Sequence, residues 1–312
     1  MTKMEDLASP CNPTWCAGCG NFGIWGAFKA AAVQQGWDNL NSVLVAGIGC
    51  HGHMINFVRL TSFEGLHGRP IPVATGIKLA NNKLNVFVFT GDGDCLGEGG
   101  NHFIHTCRRN HDLTILLHNN ALYSLTTGQA SPETPHGTKT KSTPLGNPDE
   151  PFSPLALAIA SGATFVARGF SGDMAKLTEL IIKANEHKGL SVIDILQPCT
   201  TFNKDYTYGF FRENTYQLPQ DYDPGNKVKA FEKSLEWTRL PAPASPQAEQ
   251  TRPQASEAQT DDGQAEKQIP LGILYQAEKP SYESQITQIK EKPLIENLVT
   301  KRDIQDLFKK YS

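Results

Sequence analysis

The sequence predicts an α/β fold in which a mostly parallel sheet is flanked by helices. Short runs of aliphatic and β-branched residues alternate along the chain with longer stretches whose apolar residues recur at helical spacing. The clearest case is the pair of runs at residues 86–90 (VFVFT) and 114–118 (TILLH), which are separated by enough chain for one helix. This alternation is typical of a βαβ unit, whose two strands run parallel and end at the same edge of the sheet.

The remaining elements follow the same pattern in chain order. A helix is predicted at residues 21–35, ending at Gly36, and a buried strand at residues 42–46. Further helices are predicted at residues 73–80, 155–160 and 174–187, and further strands at residues 164–167 and 191–196. Unusual residues follow the strand ends near residues 47, 90, 118 and 197. A parallel sheet would gather these residues at one edge, where open α/β sheets bind their ligands.

Composition divides the chain into three parts. Its 312 residues can bury a large core, although only 39% of them are hydrophobic. Residues 241–268 contain no aromatic residue and no aliphatic residue larger than alanine, which predicts a disordered linker. The expected organisation is a domain at residues 1–240, the linker at 241–268, and a tail at 269–312 that packs on the domain or on a partner.

Charge and hydropathy exclude several classes of partner. The net charge of −3 and the lack of a long Lys/Arg block argue against nucleic acid or an anionic membrane. No apolar run approaches the ~20 residues of a membrane-spanning helix, and the N-terminus has no signal-peptide core, so a cytoplasmic protein is expected. In a reducing cytosol, the seven cysteines point to metal binding or catalysis before disulfides.

Residues whose side-chain oxygens can bind a cation follow two neighbouring predicted strands. Asp92 belongs to a Gly-Asp-Gly-Asp run after the first, and Asn120 to an Asn-Asn pair after the second. Mg²⁺ prefers such ligands and is usually held together with phosphate oxygens. A Gly/Asp-rich turn alone is common, but its combination with the Asn pair predicts a diphosphate bound through a divalent cation.

Four of the cysteines lie in loops. Cys16 and Cys19 form a C-x-x-C just before the first helix, Cys50 lies among glycines after a strand, and Cys199 follows the last predicted strand. From spacing alone, a structural Zn(Cys)₄ site and a thioredoxin-like pair at Cys16 and Cys19 both remain open. The two cysteines in the helix after the Gly/Asp run, at positions 95 and 107, are expected to pack in the core, and Cys11 is left unassigned.

These motifs resemble, in chain order, those of the β subunits of 2-oxoacid:ferredoxin oxidoreductases. The matching segments are WCAGCG at residues 15–20, GIGC at 47–50, HGR at 67–69, the GDGD run through 102, LTTGQ at 125–129 and PC at 198–199. The resemblance covers about residues 9–235 and 269–275, and it implies the thiamine diphosphate-binding fold.

The resemblance also implies cofactors and their ligands. The Mg²⁺ of thiamine diphosphate would be held by Asp92, Asn120 and the carbonyl of Leu122, and a 4Fe–4S cluster by Cys16, Cys19, Cys50 and Cys199. Residues expected to line thiamine diphosphate are Ile48, Gly49, Cys50, His51, His67, Gly68, Gly93, Asp94, Ser124 and Leu125. Thr127 would lie near the substrate.

The activity implied is oxidative decarboxylation of a 2-oxoacid to acyl-CoA and CO₂, with electrons passing through the cluster to ferredoxin. The segment around Thr127 favours 2-oxoglutarate, with pyruvate next. No catalytic residue is assigned, because in this family the activating glutamate comes from the partner α (or α/γ) subunit. The chain is therefore expected to be inactive alone. The alternatives are a non-redox thiamine diphosphate-dependent decarboxylase subunit and a non-catalytic metal-binding subunit.

Overall fold

The fold is described by a computed structural model that covers residues 2–237, 269–297 and Lys309. The helices are α1 Asn21–Gln35, α2 Met54–Phe57, α3 Pro70–Ala80, α4 Gly100–Arg109, α5 Pro154–Ser161, α6 Met174–Glu186, α7 Tyr208–Asn214, α8 Lys227–Ser234, α9 Tyr282–Gln285, α10 Thr287–Lys290 and α11 Leu294–Asn297. The strands are β1 Ser42–Ala46, β2 Thr61–Glu64, β3 Asn85–Gly91, β4 Thr114–Asn119, β5 Leu122–Tyr123, β6 Gln129–Ala130, β7 Phe165–Phe170, β8 Ser191–Leu196, β9 Thr215–Gln217 and β10 Ile269–Gln276. None of the described helices is long and apolar enough to cross a membrane. The predicted linker at 241–268 lies outside the described residues, as does the predicted C-terminal helix around 301–310, apart from Lys309.

Eight strands form one sheet in the order β2-β1-β3-β4-β8-β7-β10-β9. All neighbours from β2 to β7 pair in parallel, β10 runs antiparallel to β7, and β9 is parallel to β10. The short strands β5 and β6 form a separate antiparallel pair. The prediction of a mostly parallel sheet flanked by helices is confirmed.

Helices cover both faces of the sheet because side chains along each central strand alternate between two cores. On β3, Phe87 and Phe89 belong to the core that contains α1 and α6, whereas Val86 and Val88 belong to the core that contains α3, α4 and α5. The central strands β1, β4 and β8 are buried along their full length, which explains their nearly continuous hydrophobic runs. Each phenylalanine buried in this way stabilises the fold by roughly 1.5–3 kcal/mol.

The parallel pairing sets the carboxyl ends of β1, β3, β4 and β8 side by side. Gly91 at the end of β3 lies beside His118 of β4, and Asn119 of β4 lies beside Leu196 of β8. The loops that leave these four strands therefore begin next to one another, at one edge of the molecule.

The segment after β3 differs from the single helix that the sequence predicts. The chain first forms a π-helical turn at Gly93–Glu98, then changes conformation at Gly99 (φ −117°, ψ 7°), and only then enters α4. The three glycines between residues 97 and 100 have little helix propensity, and π turns within helices occur frequently at functional sites. Cys95 in the turn and Cys107 in α4 are both buried in the core.

Residues 269–297 pack on the rest of the fold. β10 joins the sheet beside β7, and Glu283 in α9 contacts His111 Nδ1 at 2.6 Å and accepts a hydrogen bond from the backbone amide of Asp112 at 3.0 Å. Burial alone would raise the pKa of Glu283, but these two contacts outweigh burial and lower the pKa. The division into a domain at 1–240, a linker and a tail at 269–312 stays a prediction.

Candidate functional site

A cleft at the strand edge gathers residues from several loops, and we call it the edge cleft. It encloses about 60 Å³ and is lined by Ile48, Gly49, Cys50, His51, His67, Gly91, Asp92, Gly93, Asp94, Asn120, Leu122, Tyr123, Ser124, Leu125 and Thr126. Nine of the ten residues predicted to contact the cofactor line this cleft, as do all three predicted cation ligands. The tenth, Gly68, instead donates its amide to Asp94 Oδ1 at 2.7 Å.

The carboxyl group of Asp92 is almost completely buried at the end of β3. Its Oδ2 accepts a hydrogen bond from the hydroxyl of Ser131, and burial raises the pKa of Asp92 to about 7. A buried carboxyl group of this kind is fully charged at neutral pH only when a positive group lies beside it. Asp92 therefore suits the role of ligand to a hard divalent cation.

The amide of Asn120 is held in one orientation at the end of β4. Its Nδ2 donates to Gln197 Oε1 at 2.8 Å and to Ser124 Oγ at 3.3 Å, while its Oδ1 accepts from the backbone amide of Leu122 at 3.1 Å. Ala121 between them has φ 56°, a left-handed conformation that costs a non-glycine residue roughly 1–2 kcal/mol. This strained turn brings Asn120 and Leu122 to the same cleft.

Asp94 ties together the loops that border the edge cleft. Its carboxylate accepts hydrogen bonds from the Thr90 hydroxyl at 2.6 Å and from the amides of Gly68 at 2.7 Å and Ile48 at 3.3 Å. Two histidine rings also lie close to this carboxylate, with His51 Nε2 3.5 Å from Oδ2 and His67 Nδ1 3.0 Å from Oδ1. Burial alone would raise the pKa of Asp94, but these partners outweigh burial and lower it. The contacts observed are with the protein, and direct contact between Asp94 and a cofactor stays a prediction.

Gly47 gives a test of this arrangement, because a Cβ at that position would lie 1.9 Å from Asp94 Oδ2. We expect Gly47→Ala to displace Asp94, to weaken cofactor binding and to lower the free energy of unfolding by about 1–3 kcal/mol. Thermal unfolding and a cofactor titration measure the two effects. Gly76 in α3 is the matched control, since a Cβ there meets nothing within 4 Å. Gly76→Ala should be neutral or stabilising, and equal behaviour of the two variants would contradict the prediction.

Two histidines connect the start of α1 with the cleft. His118 at the end of β4 is buried, and burial lowers its pKa well below the usual range. Its Nδ1 lies 2.7 Å from Asn21 Oδ1, which can only accept, so Nδ1 carries the proton and Nε2 is an acceptor. The ring of His51 lies 6.0 Å from that of His118. The neutral His118 thus fixes α1 against the strand edge.

A second cavity, here called the cysteine cavity, lies next to the edge cleft. It encloses about 180 Å³ and is lined by Thr14, Trp15, Cys16, Cys19, Cys50, His53, Ser124, Leu125, Thr127, Gln197, Cys199, Thr200, Thr201 and Phe202. Its loops are tied together by a hydrogen bond from the Gly20 amide to the Pro198 carbonyl (3.0 Å) and one from Trp15 Nε1 to the Cys50 carbonyl (2.7 Å). The four cysteines predicted as ligands therefore face one cavity.

Deprotonation of these thiols is unfavourable unless a positively charged group lies among them. Burial, together with the charges on Cys50, Cys199 and Cys16, raises the pKa of Cys19 to about 12. The pKa of Cys50 is raised in the same way, by burial first. Four thiolates facing one another would repel, and a cationic metal group removes that repulsion.

The four thiols that line the cysteine cavity are a donor set for a metal group. Within residues 2–237 and 269–297, no three His, Cys, Asp or Glu side chains lie close enough together to hold a single metal ion. A structural zinc ion needs its thiolates at about 2.3 Å from one point. A 4Fe–4S cluster takes four thiolates, one on each iron, and so suits sulfurs spread around a cavity. Four cysteines that line one cavity supply the number of thiolates that such a cluster takes.

Three other residues named in the sequence analysis, Thr127, Arg69 and Cys11, do not line the edge cleft. Thr127 lines the cysteine cavity with φ 80°, a strained value for a β-branched residue, and its hydroxyl accepts from Lys141 Nζ at 2.6 Å. Arg69 donates to the backbone carbonyl of Glu98 at 2.7 Å, so it supports the π-helical turn. Cys11 is exposed and does not line the cysteine cavity.

The sequence analysis did not identify three buried charged residues, Asp194, Arg168 and Glu133. Asn119 Nδ2 donates to Asp194 Oδ1 at 2.9 Å and to Glu133, and Asp194 forms an ion pair with Arg168 at 2.9 Å. Burial raises the pKa of Glu133 well above its usual range. The one available signal was the charged residue inside the hydrophobic strand SVIDIL. This network fastens the polar loop after β6, which carries Glu133 and Ser131, beneath the edge cleft.

Comparison with known proteins first defines the class. Residues 47–195 match the family model described as thiamine pyrophosphate enzyme, C-terminal TPP binding domain. Residues 199–242 match a second family model, which describes the C-terminal part of the pyruvate ferredoxin oxidoreductase beta subunit. The matched segment therefore has the fold of the thiamine pyrophosphate enzymes.

Curated relatives define the family. The 2-oxoacid:ferredoxin oxidoreductase subunit beta of a Sulfolobus species is 44% identical over 286 residues, which are 87% of this chain and 85% of the relative. Its counterpart in Saccharolobus solfataricus is 49% identical over 236 residues, 72% of this chain and 77% of the relative. The chain belongs to the family of 2-oxoacid:ferredoxin oxidoreductase β subunits and is thus part of an enzyme.

Two further relatives are named for one 2-oxoacid. The 2-oxoglutarate synthase subunit KorB of Archaeoglobus fulgidus is 46% identical over 190 residues, 61% of this chain and 71% of the relative. A solved 2-oxoglutarate:ferredoxin oxidoreductase from Magnetococcus marinus, with 2-oxoglutarate, coenzyme A and succinyl-CoA bound, aligns with 100% of this chain and 96% of that chain. The identity is 32% and the TM-score 0.83.

Proposed function

We propose that this chain, with its partner, converts 2-oxoglutarate, coenzyme A and oxidised ferredoxin to succinyl-CoA, CO₂ and reduced ferredoxin, through a 4Fe–4S cluster of its own. The observation that carries the proposal is that the edge cleft and the cysteine cavity share Cys50, Ser124 and Leu125. A cofactor in the cleft and a cluster in the cavity would be separated by this shared wall alone. Such proximity supports direct transfer of single electrons from one to the other.

The edge cleft would hold Mg²⁺ and the diphosphate of the cofactor. The Asp92 carboxylate, the Asn120 amide oxygen and the Leu122 carbonyl are the proposed cation ligands. The loops around Ile48, Gly49, Cys50, His51, His67, Gly68, Gly93, Asp94, Ser124 and Leu125 would line thiamine diphosphate, which supplies the carbanion and the electron sink for decarboxylation. The orientation of the Asn120 amide and the buried charge of Asp92 support this role.

The cysteine cavity would hold the cluster through Cys16, Cys19, Cys50 and Cys199. The loops that carry them are already joined by the Gly20–Pro198 backbone hydrogen bond and by the hydrogen bond from the Trp15 indole, so the four thiols are preorganised. The backbone amide of Asn21, the first residue of α1, forms a hydrogen bond that lowers the pKa of Cys19, although burial outweighs it. Amides that point at sulfur in this way stabilise a negatively charged cluster.

The thiamine site is proposed to be completed by an α (or α/γ) subunit. The edge cleft encloses about 60 Å³, far below the roughly 300–1,000 Å³ of typical ligand pockets, so this chain alone encloses only part of such a cofactor. The family resemblance places the glutamate that activates thiamine on the partner. We accordingly assign no catalytic residue to this chain and propose a heterodimer as the active unit.

Substrate choice is supported by the relatives rather than by a residue in contact with substrate. The KorB relative and the Magnetococcus marinus structure are named for 2-oxoglutarate. Thr127, proposed to lie near the substrate, is held by Lys141, whose ammonium group places a positive charge on that side of the cysteine cavity. A positive charge there favours a dicarboxylic 2-oxoacid over pyruvate.

The function is tested by co-purifying the chain with its α partner under anaerobic conditions and following reduction of a viologen dye. We expect reduction that requires both subunits, coenzyme A and a 2-oxoacid, with a higher kcat/KM for 2-oxoglutarate than for pyruvate. Release of CO₂ without dye reduction would favour the non-redox decarboxylase instead. A complex that neither releases CO₂ nor reduces the dye with any 2-oxoacid would favour a non-catalytic metal-binding subunit.

A further inference from the structure

Gln197 lies between the two sites and contacts both. It is 2% exposed and follows β8 directly. Its Nε2 lies 3.3 Å from Cys19 Sγ and 3.2 Å from the carbonyl oxygen of Pro198, and its Oε1 accepts from Asn120 Nδ2 at 2.8 Å. One side-chain amide therefore connects a proposed cluster ligand with a proposed cation ligand.

The hydrogen bonds determine how this amide is oriented. The Pro198 carbonyl can only accept, so the atom of Gln197 that faces it must be the Nε2 donor. Oε1 then faces Asn120, which must present its own Nδ2 to satisfy it. As a result the Asn120 oxygen points the other way, toward the backbone amide of Leu122 at 3.1 Å. The Pro198 carbonyl thus sets the direction of the cation-binding oxygen through two amides.

Ser124 forms a second hydrogen-bonded bridge, which connects Asn120 with another cysteine. Its hydroxyl oxygen accepts from Asn120 Nδ2 at 3.3 Å, and its single proton is directed to Cys50 Sγ at 3.5 Å. The two bridges end on different cysteines, Cys19 and Cys50. Both begin at the same nitrogen of Asn120.

We propose that Gln197 and Ser124 are positioning residues that raise the reduction potential of the cluster by donating hydrogen bonds to Cys19 and Cys50, and that couple this potential to cation binding at Asn120. The inference rests on the proposed function. A donor to a ligand sulfur stabilises the more negative, reduced cluster. Mg²⁺ on the Asn120 oxygen polarises that amide, and the polarisation passes along the chain of hydrogen bonds to the sulfurs.

The test is an anaerobic redox titration of the α–β complex, followed by electron paramagnetic resonance of the reduced cluster. Gln197→Met keeps the length of the side chain but removes its hydrogen bonds to Cys19, Pro198 and Asn120, and Ser124→Ala removes the other bridge. We expect a more negative midpoint potential in each variant, at unchanged iron content, and the most negative potential in the double variant. The two shifts need not add, because both residues accept from Asn120 Nδ2. Ser124→Thr keeps the hydroxyl, so its midpoint potential should equal that of the wild type.

Thr200→Val is the matched control. Thr200 lines the same cavity, but its hydroxyl donates to the Ala17 carbonyl at 2.9 Å and not to sulfur, so its loss should leave the potential unchanged. The coupling is measured as the change in midpoint potential when Mg²⁺ and thiamine diphosphate are added. That change should be more positive in the wild type than in Gln197→Met, whose affinity for thiamine diphosphate should also fall about tenfold.

The outcomes separate the two proposals. Wild-type potentials in both Gln197→Met and Ser124→Ala, with full iron content, would overturn the bridging role and leave the proposed function intact. A wild-type complex without iron would overturn the proposed function and this inference with it. A shift in Thr200→Val as large as that in Gln197→Met would show a general effect of the cavity wall and overturn the bridging role.

Discussion

Replacing Asp92 with alanine is expected to abolish binding of thiamine diphosphate to the assembled enzyme while leaving about four iron atoms per chain in place. Asp92 is the only carboxylate among the three proposed Mg²⁺ ligands, and it lies in the edge cleft, outside the set of residues that line the cysteine cavity. Loss of a direct ligand should weaken binding by roughly a hundredfold or more. Isothermal titration with Mg²⁺ and thiamine diphosphate, together with an iron assay, measures both effects. Asp149→Ala, which changes an exposed acidic residue, is the control.

The raised pKa of Asp92 predicts how cofactor binding depends on pH. Burial raises the pKa of Asp92 to about 7, so below that pH the cation must displace a proton from the carboxyl group. Affinity for Mg²⁺ and thiamine diphosphate is therefore expected to fall about tenfold for each pH unit below 7 and to level off above it. Asp92→Asn should bind weakly and without this dependence. A wild-type affinity that does not change between pH 5.5 and pH 8 would contradict the assignment.

Replacing Cys199 with serine is expected to remove the cluster and stop dye reduction, while thiamine diphosphate still binds. Cys199 lines the cysteine cavity but not the edge cleft. A 4Fe–4S cluster needs all four thiolates, and a serine hydroxyl is a much poorer ligand for iron. Visible absorption near 400 nm, iron content and cofactor titration on the anaerobic complex measure the separation of the two sites.

Two other cysteines are matched controls for this loss. Cys11 is exposed and outside the cavity, and Cys107 of α4 is buried in the core. Cys11→Ser and Cys107→Ala should both keep the full iron content, and only Cys107→Ala should lower the thermal stability. Retention of four iron atoms in Cys199→Ser, or their loss in Cys11→Ser, would mean that the cluster ligands are wrongly assigned.

The parts of the fold that follow from local pattern could be predicted from the sequence. Helix α1 and strands β1 and β8 occur at the residues expected, because a continuous hydrophobic run or a helical repeat carries its own signal. The convergence of Asp92, Asn120, Cys50 and Cys199 at one edge followed from parallel pairing alone, whereas Cys16 and Cys19 follow no strand. That these residues contact a cofactor could be predicted only from the family resemblance.

What the sequence could not predict depends on contacts between distant residues. Asp94 was expected to contact the cofactor, but residue type alone does not reveal that five groups from two loops and strand β3 converge on its carboxylate. The contacts of Gln197 with Asn120 and Cys19 could not be predicted, since these residues are 77 and 178 positions away in the sequence. The break between the π-helical turn and α4 was not predicted, because apolar residues recur at helical spacing on both sides of the glycines.

The central claim is that electrons from a 2-oxoacid enter a cluster held by this chain. It is tested most directly by mixing the anaerobic α–β complex, loaded with Mg²⁺ and thiamine diphosphate, with 2-oxoglutarate and coenzyme A and freezing the sample for electron paramagnetic resonance. We predict the signal of a reduced 4Fe–4S cluster in the wild type and its absence in the Asp92→Ala and Cys199→Ser complexes. CO₂ release from a wild-type complex that contains iron but never shows the reduced-cluster signal would contradict the account.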